Sequence, residues 1–224
     1  LGVLGVVALI VFARVEQKAD EPILPPHLFR NRVFVVTSAL GFVVGFALFG
    51  SLTYLPLFQQ VVRGLSPTES GLQMLPLMGG LLIASIGSGQ IISRRGKYRI
   101  FPIFGTAIAC VGLFLLSNID SSISPGTMAL YMAILGFGLG LVMQVLVLAV
   151  QNAVSYSELG VATSGATLFR SIGGSMGTAI LGAIFANRLA TELAARLPAG
   201  APSEAGQGHI DPSQIQSLPP LVKA

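Results

Sequence analysis

The sequence predicts an all-α protein that crosses a lipid bilayer several times, and three observations carry that prediction. Residues 33–62, 70–93, 100–119, 121–157 and 159–187 hold no Asp, Glu, Lys or Arg apart from Arg170. At a rise of about 1.5 Å per helical residue, each stretch can cross a hydrocarbon core that needs roughly 20 apolar residues. The 224 residues are 53% hydrophobic and only 10% charged, with a mean hydropathy of +0.79. A soluble domain carries about 25% charged residues, so a water-soluble packing of these segments would lack a polar surface. Finally, the charges that are present fall in the short polar segments between the apolar ones.

Residues 1–13 read as the end of a spanning helix, too short to cross alone. The chain starts inside this apolar run without an initiator Met or a basic leader, so a signal peptide is not expected and the helix is read as cut short. Residues 14–32 form a mixed-charge linker containing Pro22, Pro25 and Pro26 and ending in His27-Leu28-Phe29-Arg30-Asn31-Arg32. Five helices follow, near 33–59, 71–93, 99–118, 126–151 and 160–187. The connections Arg63–Ser70 and Asn118–Gly126 contain Ser-Pro steps, which favour turns over continued helix. Residues 188–224, rich in Ala, Pro, Gly and Ser, read as an extramembrane loop or tail. Within it, Asp211-Pro212 can cap a short surface helix over 212–218.

Orientation follows from the basic residues. Arg14, Lys18, Arg30, Arg32, Arg94, Arg95, Lys97 and Arg99 fall on one side, and Arg63, Arg188, Arg196 and Lys223 on the other. The positive-inside rule places 14–32 and 94–99 in the cytoplasm and 188–224 outside. An odd number of crossings calls for at least one further helix downstream. This distribution also accounts for the net charge of +4 without nucleic acid, since no basic stripe interleaved with aromatics is present. The single cysteine, Cys110, excludes an intrachain disulfide and reads as a buried structural thiol.

Helices in lipid pack through small residues, and the last helix is rich in them. Ser171, Ser175, Ala179 and Ala183 make one stripe, Gly174, Thr178, Gly182 and Ala186 the next, and Gly173/Gly177 a further step. Similar sets are Gly136/Gly140, Gly41/Gly45 and Gly80/Ala84/Ser88. They specify tight helix contact, with sliding between bundles as the sharper alternative. Pro56, Pro76, Pro102 and Gly79-Gly80 read as helix interruptions of the kind transporters place near their sites.

The segment Gly89-Gln90-Ile91-Ile92-Ser93-Arg94-Arg95-Gly96-Lys97-Tyr98-Arg99 resembles the signature loop between the second and third helices of each half of the major facilitator superfamily. Gly89, Arg94, Gly96 and Lys97 match it, and Ser93 stands where an Asp is usual. Tyr54-Leu55-Pro56-Leu57-Phe58-Gln59-Gln60, Gly64–Gly71, Leu75-Pro76, and Ala162–Gly165 with Arg170 and Gly173–Gly177 resemble the fourteen-helix, EmrB/QacA-type drug:proton antiporters. Glu21–Pro25 ahead of Leu28–Arg32 fits the same group. The resemblance covers about 1–190. It implies an incomplete C-terminal six-helix bundle of a major facilitator fold, with the sixth helix beyond the tail and an N-terminal helical bundle as the missing partner.

That resemblance places the first and fourth helices of the half, 33–59 and 126–151, around the central cavity. Phe42, Phe46, Phe49 and Thr53 share one helix face, with Tyr54 and Phe58 nearby. Phe46, Phe49, Thr53, Tyr54, Phe58 and Gln144 are the substrate-cavity candidates, because aromatic walls suit varied hydrophobic or cationic small molecules. An amide such as Gln144 must find a partner or a wet cavity within the bilayer. Gln151 and Asn152 read as cytoplasmic-edge residues, and Gln59 and Gln60 as outer-interface residues. Arg170, the one charge within a predicted span, is the gating or coupling candidate.

No predicted span holds a carboxylate, so the resemblance puts the proton-carrying acids in the other half. No paired catalytic acids, metal cluster, nucleophile triad or phosphate loop is seen, and His209-x-Asp211 reads as solvated. The expectation is a cell-membrane secondary transporter rather than an enzyme, using no cofactor and driven by a proton gradient. Its competitors are an exporter of one metabolite (a peptide, sugar or siderophore) and a non-transport membrane scaffold.

Overall fold

The computed structural model describes residues 25–96, 98–119 and 123–196, together with Gly5, Val7, Val11, Arg14 and Val15. The readings of residues 1–13, of most of 14–32, of Lys97 and of the tail from 197, including 212–218, therefore fall outside the described residues. Within them the chain is all helical. It runs through a 3-10 turn at Pro26–Arg30, α1 (Arg32–Val61), α2 (Pro67–Leu72), α3 (Leu75–Arg95), α4 (Ile100–Ser117), α5 (Pro125–Gln151), a 3-10 turn at Tyr156–Glu158, and α6 (Leu159–Arg196). Five of these segments are long and apolar enough to cross a membrane.

Local chemistry sets the helix ends. Asn31 caps α1 by accepting from the Val33 N–H at 2.9 Å. Ser66 and Glu69 form a reciprocal capping box on α2: the Ser66 hydroxyl accepts from the Glu69 N–H at 3.3 Å, and the Glu69 carboxylate accepts from the Ser66 N–H at 3.0 Å. Gly96 ends α3 in the left-handed region at φ 66°, which a side chain would resist. Ser124, followed by Pro125, caps α5 through the Thr127 N–H at 3.1 Å. Pro76 and Pro102 lie in the first turns of α3 and α4, where no intrahelical donor is lost. Only Pro56 of the three sits inside a helix.

α6 runs to Arg196, beyond the predicted end near 187. The physical reason is that hydropathy falls where apolar content falls, whereas Leu189–Arg196 is built, apart from Thr191, of Ala, Leu, Glu and Arg, all strong helix formers. Cys110 is exposed on α4, so the reading of a buried thiol is corrected. The buried face of α4 is Gly105, Ala109 and Gly112, and Cys110 lies one residue round the helix from it.

α5 is the hub. It packs against α3, α4, α1 and α6, and buried residues fill 61% of its most apolar stretch. α3 and α5 run parallel, and glycine lets their backbones meet. A methyl group added at Gly136 would overlap the Leu77 carbonyl oxygen, one at Gly140 the Leu81 carbonyl, and one at Gly80 the Ala133 carbonyl. α4 packs antiparallel on another face of α5, with Gly138 against Ala109 and Gly112 against Leu135. The core between these helices is Met74, Leu77, Met128, Met132, Leu135, Leu139 and Val142, joined from α1 by Val44 and Leu48.

α1 and α6 form a second parallel pair. Gly41 and Gly45 face the backbone of Ala166 and Arg170, and Gly173 and Gly177 face the carbonyls of Phe42 and Phe46. In contrast, the Ser171/Ser175/Ala179/Ala183 stripe of α6 is exposed. Where α1 and α6 begin, Leu28 is buried with Phe34, Val150 and Ala162, and Asn31 donates to the Ala153 carbonyl at 2.7 Å. His27 hydrogen bonds to Glu158 across the same junction. These contacts fasten the linker to the α5–α6 turn. Hereafter this is the basic end of the bundle, since it also holds Arg94 and Arg95.

Candidate functional site

The six sequence-predicted cavity residues do not share one site. Tyr54 and Phe58 come together at the end opposite the basic one, in a cleft of about 380 Å³ between α1, α4 and α6, walled by Leu55, Leu113, Leu116 and Leu181. The lining is mainly apolar, with the Tyr54 phenol and the hydroxyls of Ser51 and Ser117, and the volume is within the 300–1,000 Å³ range of small-molecule pockets. The Tyr54 hydroxyl donates to the Thr178 carbonyl at 2.7 Å, which pins one wall of the cleft to α6. Gly182 makes room for that phenol, since a methyl group there would lie 2.5 Å from the Tyr54 oxygen. The Phe185 ring lies 6.2 Å from the Tyr54 ring, centroid to centroid.

Phe46 and Phe49 serve the α1–α6 seam instead. The Phe46 backbone and ring lie over Gly177, and the Phe49 ring lies over Gly174 while remaining 42% exposed. Thr53 is exposed. Gln144 is on the other side of the bundle, in a cleft of about 520 Å³ between α3 and α5 lined by Ser85, Gly89, Gln90, Ser93, Arg94 and Leu148. Gly89, which lies against the Gln144 side chain, and Arg94 of the signature loop thus share a site with Gln144. Gly96 forms the turn that follows. The sequence had no means of joining Gln144 to that loop, because helix periodicity does not name the neighbouring helix.

Arg170 lies about 15 Å along α6 from Gly160, counted at 1.5 Å per residue. Its stem lies against Gly41 and Gly45 of α1, and Gly45 must be glycine for this, since a methyl group there would overlap the Arg170 carbonyl oxygen. It lines a small cleft of about 20 Å³ with Thr37, Gly41, Leu146, Val147, Thr163, Ala166 and Thr167. No carboxylate bonds it among the described residues. A guanidinium near the middle of a spanning helix costs about 2.5–3.5 kcal/mol on insertion scales, which marks this position as a functional candidate.

One polar residue is set more deeply in the bundle than its sequence reading specified. Gln59, near the end of α1, is completely buried, and neither amide atom has a hydrogen-bond partner among the described residues. The stripe Leu48, Leu52, Leu55 and Gln59 on α1 is the signal that could have found it. Its neighbour Gln60 donates to the Ser70 hydroxyl at 2.9 Å, fixing α2 to α1.

Comparison with known proteins agrees with this architecture. The sequence profile of the Major Facilitator Superfamily matches residues 1–178. An uncharacterised MFS-type transporter of Mycobacterium tuberculosis is 50% identical over 195 residues, covering 87% of this chain and 28% of the relative. The multidrug transporter protein MdtP of Bacillus subtilis is 41% identical over 238 residues, covering 100% of this chain and 43% of the relative. A tetracycline resistance determinant of Streptomyces rimosus is 36% identical over 179 residues, covering 80% of this chain and 52% of the relative. The chain thus spans between about a quarter and a half of the length of these relatives.

Proposed function

This chain belongs to the Major Facilitator Superfamily, and we propose that it is the C-terminal part of a transporter that exports amphipathic compounds in exchange for protons. The observation carrying this reading is the 41% identity, over the whole chain, to a protein named a multidrug transporter. The resemblance of Tyr54–Gln60 and Ala162–Gly177 to EmrB/QacA-type antiporters supports the fourteen-helix branch. On this reading the five helices pack with a sixth and rock against an N-terminal bundle that supplies the proton-carrying acids. Residues 14–32 and 94–99 face the cytoplasm of a cell membrane.

Two sites take separate parts in this proposal. The Tyr54–Phe58 cleft offers mainly apolar area with a phenol and the hydroxyls of Ser51 and Ser117, which suits amphipathic substrates. The Gln144 cleft, beside Arg94, gives the cytoplasmic end a polar mouth. The test is export of a fluorescent cationic dye by the full-length protein in vesicles, with and without an imposed proton gradient. Gradient-dependent export is the expected result. Dye retention unaltered by deletion of the protein would exclude multidrug export, and export that survives an uncoupler would exclude proton coupling. Export confined to one peptide, sugar or siderophore would favour a dedicated metabolite exporter.

A further inference from the structure

We infer that the 3-10 turn Pro26–Arg30 is a clasp that stays closed on the α5–α6 junction throughout the working cycle, so that the apolar segment Leu1–Ala13 ahead of it travels with this bundle and not with the complementary one. The cycle is that of the transporter reading above, on which the inference rests.

Three kinds of contact close the clasp, and together they tie α1 to both α5 and α6. Leu28 is buried with Phe34 of α1, Val150 of α5 and Ala162 of α6. The Asn31 amide is used at both ends. Its oxygen accepts from the Val33 N–H at 2.9 Å and caps α1, while its nitrogen donates to the Ala153 carbonyl at 2.7 Å, just past the end of α5. His27 hydrogen bonds to one oxygen of Glu158. The other oxygen accepts from the Ser155 hydroxyl at 2.6 Å and from the Ser155 N–H at 3.3 Å, so the carboxylate also shapes the turn that leads into α6. The Phe29 ring stands edge-on to Phe34 and Phe169, at centroid distances of 5.5 and 6.1 Å.

This layering holds the clasp closed. The His27–Glu158 pair alone would not, since 58% and 31% of the two side chains are exposed and such pairs contribute little. The apolar contact is the larger effect: burying a leucine side chain shifts an equilibrium by about ten- to a hundredfold. Opening would also strip Asn31 from the Ala153 carbonyl. Asn31 is the single residue between the turn and α1, so the chain has no slack there for the turn to leave while the helix cap stays formed.

Chain length makes the clasp a tether. The 17 steps from Val15 to Arg32 reach about 60 Å when fully extended, whereas the 10 steps from Val15 to Pro25 reach about 35 Å. Closure also moves the point of departure from the start of α1 to the turn before α6, where Glu158 holds His27.

The test uses the full-length protein in proteoliposomes, with its own cysteines replaced. His27→Cys and Glu158→Cys are joined by a short bifunctional methanethiosulfonate reagent, and export of the fluorescent cationic dye is measured before bridging, after it, and after reduction. The bridged protein is expected to export within twofold of the unbridged one. Spin labels then report distances by double electron–electron resonance, with dye and pH selecting the inward- and outward-open states. One pair joins Val15→Cys to Ile100→Cys, at the start of α4, and a second joins Val15→Cys to a cytoplasmic loop of the complementary bundle. The first distance should be the same in both states and the second should change. Leu28→Ser with Glu158→Gln should widen the Val15–Ile100 distribution at least twofold.

A loss of export on bridging, at least tenfold and reversed by reduction, would overturn the inference by showing that the clasp must open. So would a Val15–Ile100 distance that changes with state as much as the second pair, or a distribution left narrow by Leu28→Ser with Glu158→Gln. If that variant fails to insert, Leu28→Ala with Asn31→Asp replaces it, truncating the buried side chain and removing the donor to Ala153 while keeping the oxygen that caps α1. A narrow distribution there overturns the clasp equally. Absence of dye export by the unaltered protein under a gradient strikes the transporter reading, and the width of the Val15–Ile100 distribution still decides the clasp.

Discussion

The two parallel helix pairs, α3–α5 and α1–α6, use glycine alike but live in different surroundings. In both, glycine brings one backbone against a carbonyl of the next: Gly136 and Gly140 face Leu77 and Leu81, and Gly173 and Gly177 face Phe42 and Phe46. α5 is then enclosed by α4 and α1, and buried residues fill 61% of its apolar stretch. The corresponding share for α6 is 17%. The first pair is a scaffold gripped on several sides. The second meets the rest of the bundle mainly through α5, and it carries Arg170 and the Tyr54–Thr178 bond. Identical close contacts therefore sit in different surroundings among the described helices, one pair at the centre of the bundle and the other at its margin.

Substitutions that add one methyl group at matched positions probe this difference. Gly136→Ala drives a side chain into the Leu77 carbonyl with no room for either helix to retreat. The expected loss is about 3 kcal/mol, at the upper end of ordinary overpacking costs, read as a lowered unfolding midpoint of the detergent-solubilised protein. Gly45→Ala meets the Arg170 carbonyl just as closely. There α6 packs mainly on α1 among the described helices, and the expected loss is about 1–2 kcal/mol. An equal loss at the two positions would break the comparison.

Smaller effects sharpen it. Gly182→Ala meets only the end of the Tyr54 side chain, so rotation of the phenol relieves the clash and the expected loss is about 1 kcal/mol. The bond to Thr178 should be lost with it, visible as a change in tyrosine fluorescence. Tyr54→Phe removes that bond alone and should cost about 0.6 kcal/mol, the average for hydrogen bonds between membrane helices. A loss as large as that of Gly136→Ala would mean that the α1–α6 seam is held by its polar contact rather than by packing.

The helices were legible because bilayer thickness and hydrogen-bonding physics write themselves into local sequence. Uncharged runs set the spans, Ser66-Pro67 and Ser124-Pro125 mark helix starts, and Gly96 marks a stop. The far end of α6 was not legible from hydropathy, which reports apolar content rather than helix. Neither was the assortment of neighbours. Gly173, Gly174 and Gly177 are plainly small, yet nothing local says that they receive Phe42, Phe49 and Phe46. Gln144 and Tyr54 were grouped because they lie on cavity-facing helices by resemblance, but the fold sends them to opposite sides and ends of the bundle. Arg170 was conspicuous by charge alone, whereas its seat on Gly41 and Gly45 required the fold.

The exposed thiol of Cys110 has a practical consequence. It is the sole cysteine, and it sits near the midpoint of α4 on a face that no other described helix covers. A spin label can be placed there, since it is the one thiol within these 224 residues. Its relaxation by molecular oxygen, which partitions into lipid tails, against a water-soluble nickel chelate would measure immersion depth directly. That depth supplies a ruler from which the levels of Gln144, Arg170 and Tyr54 across the bilayer can be read.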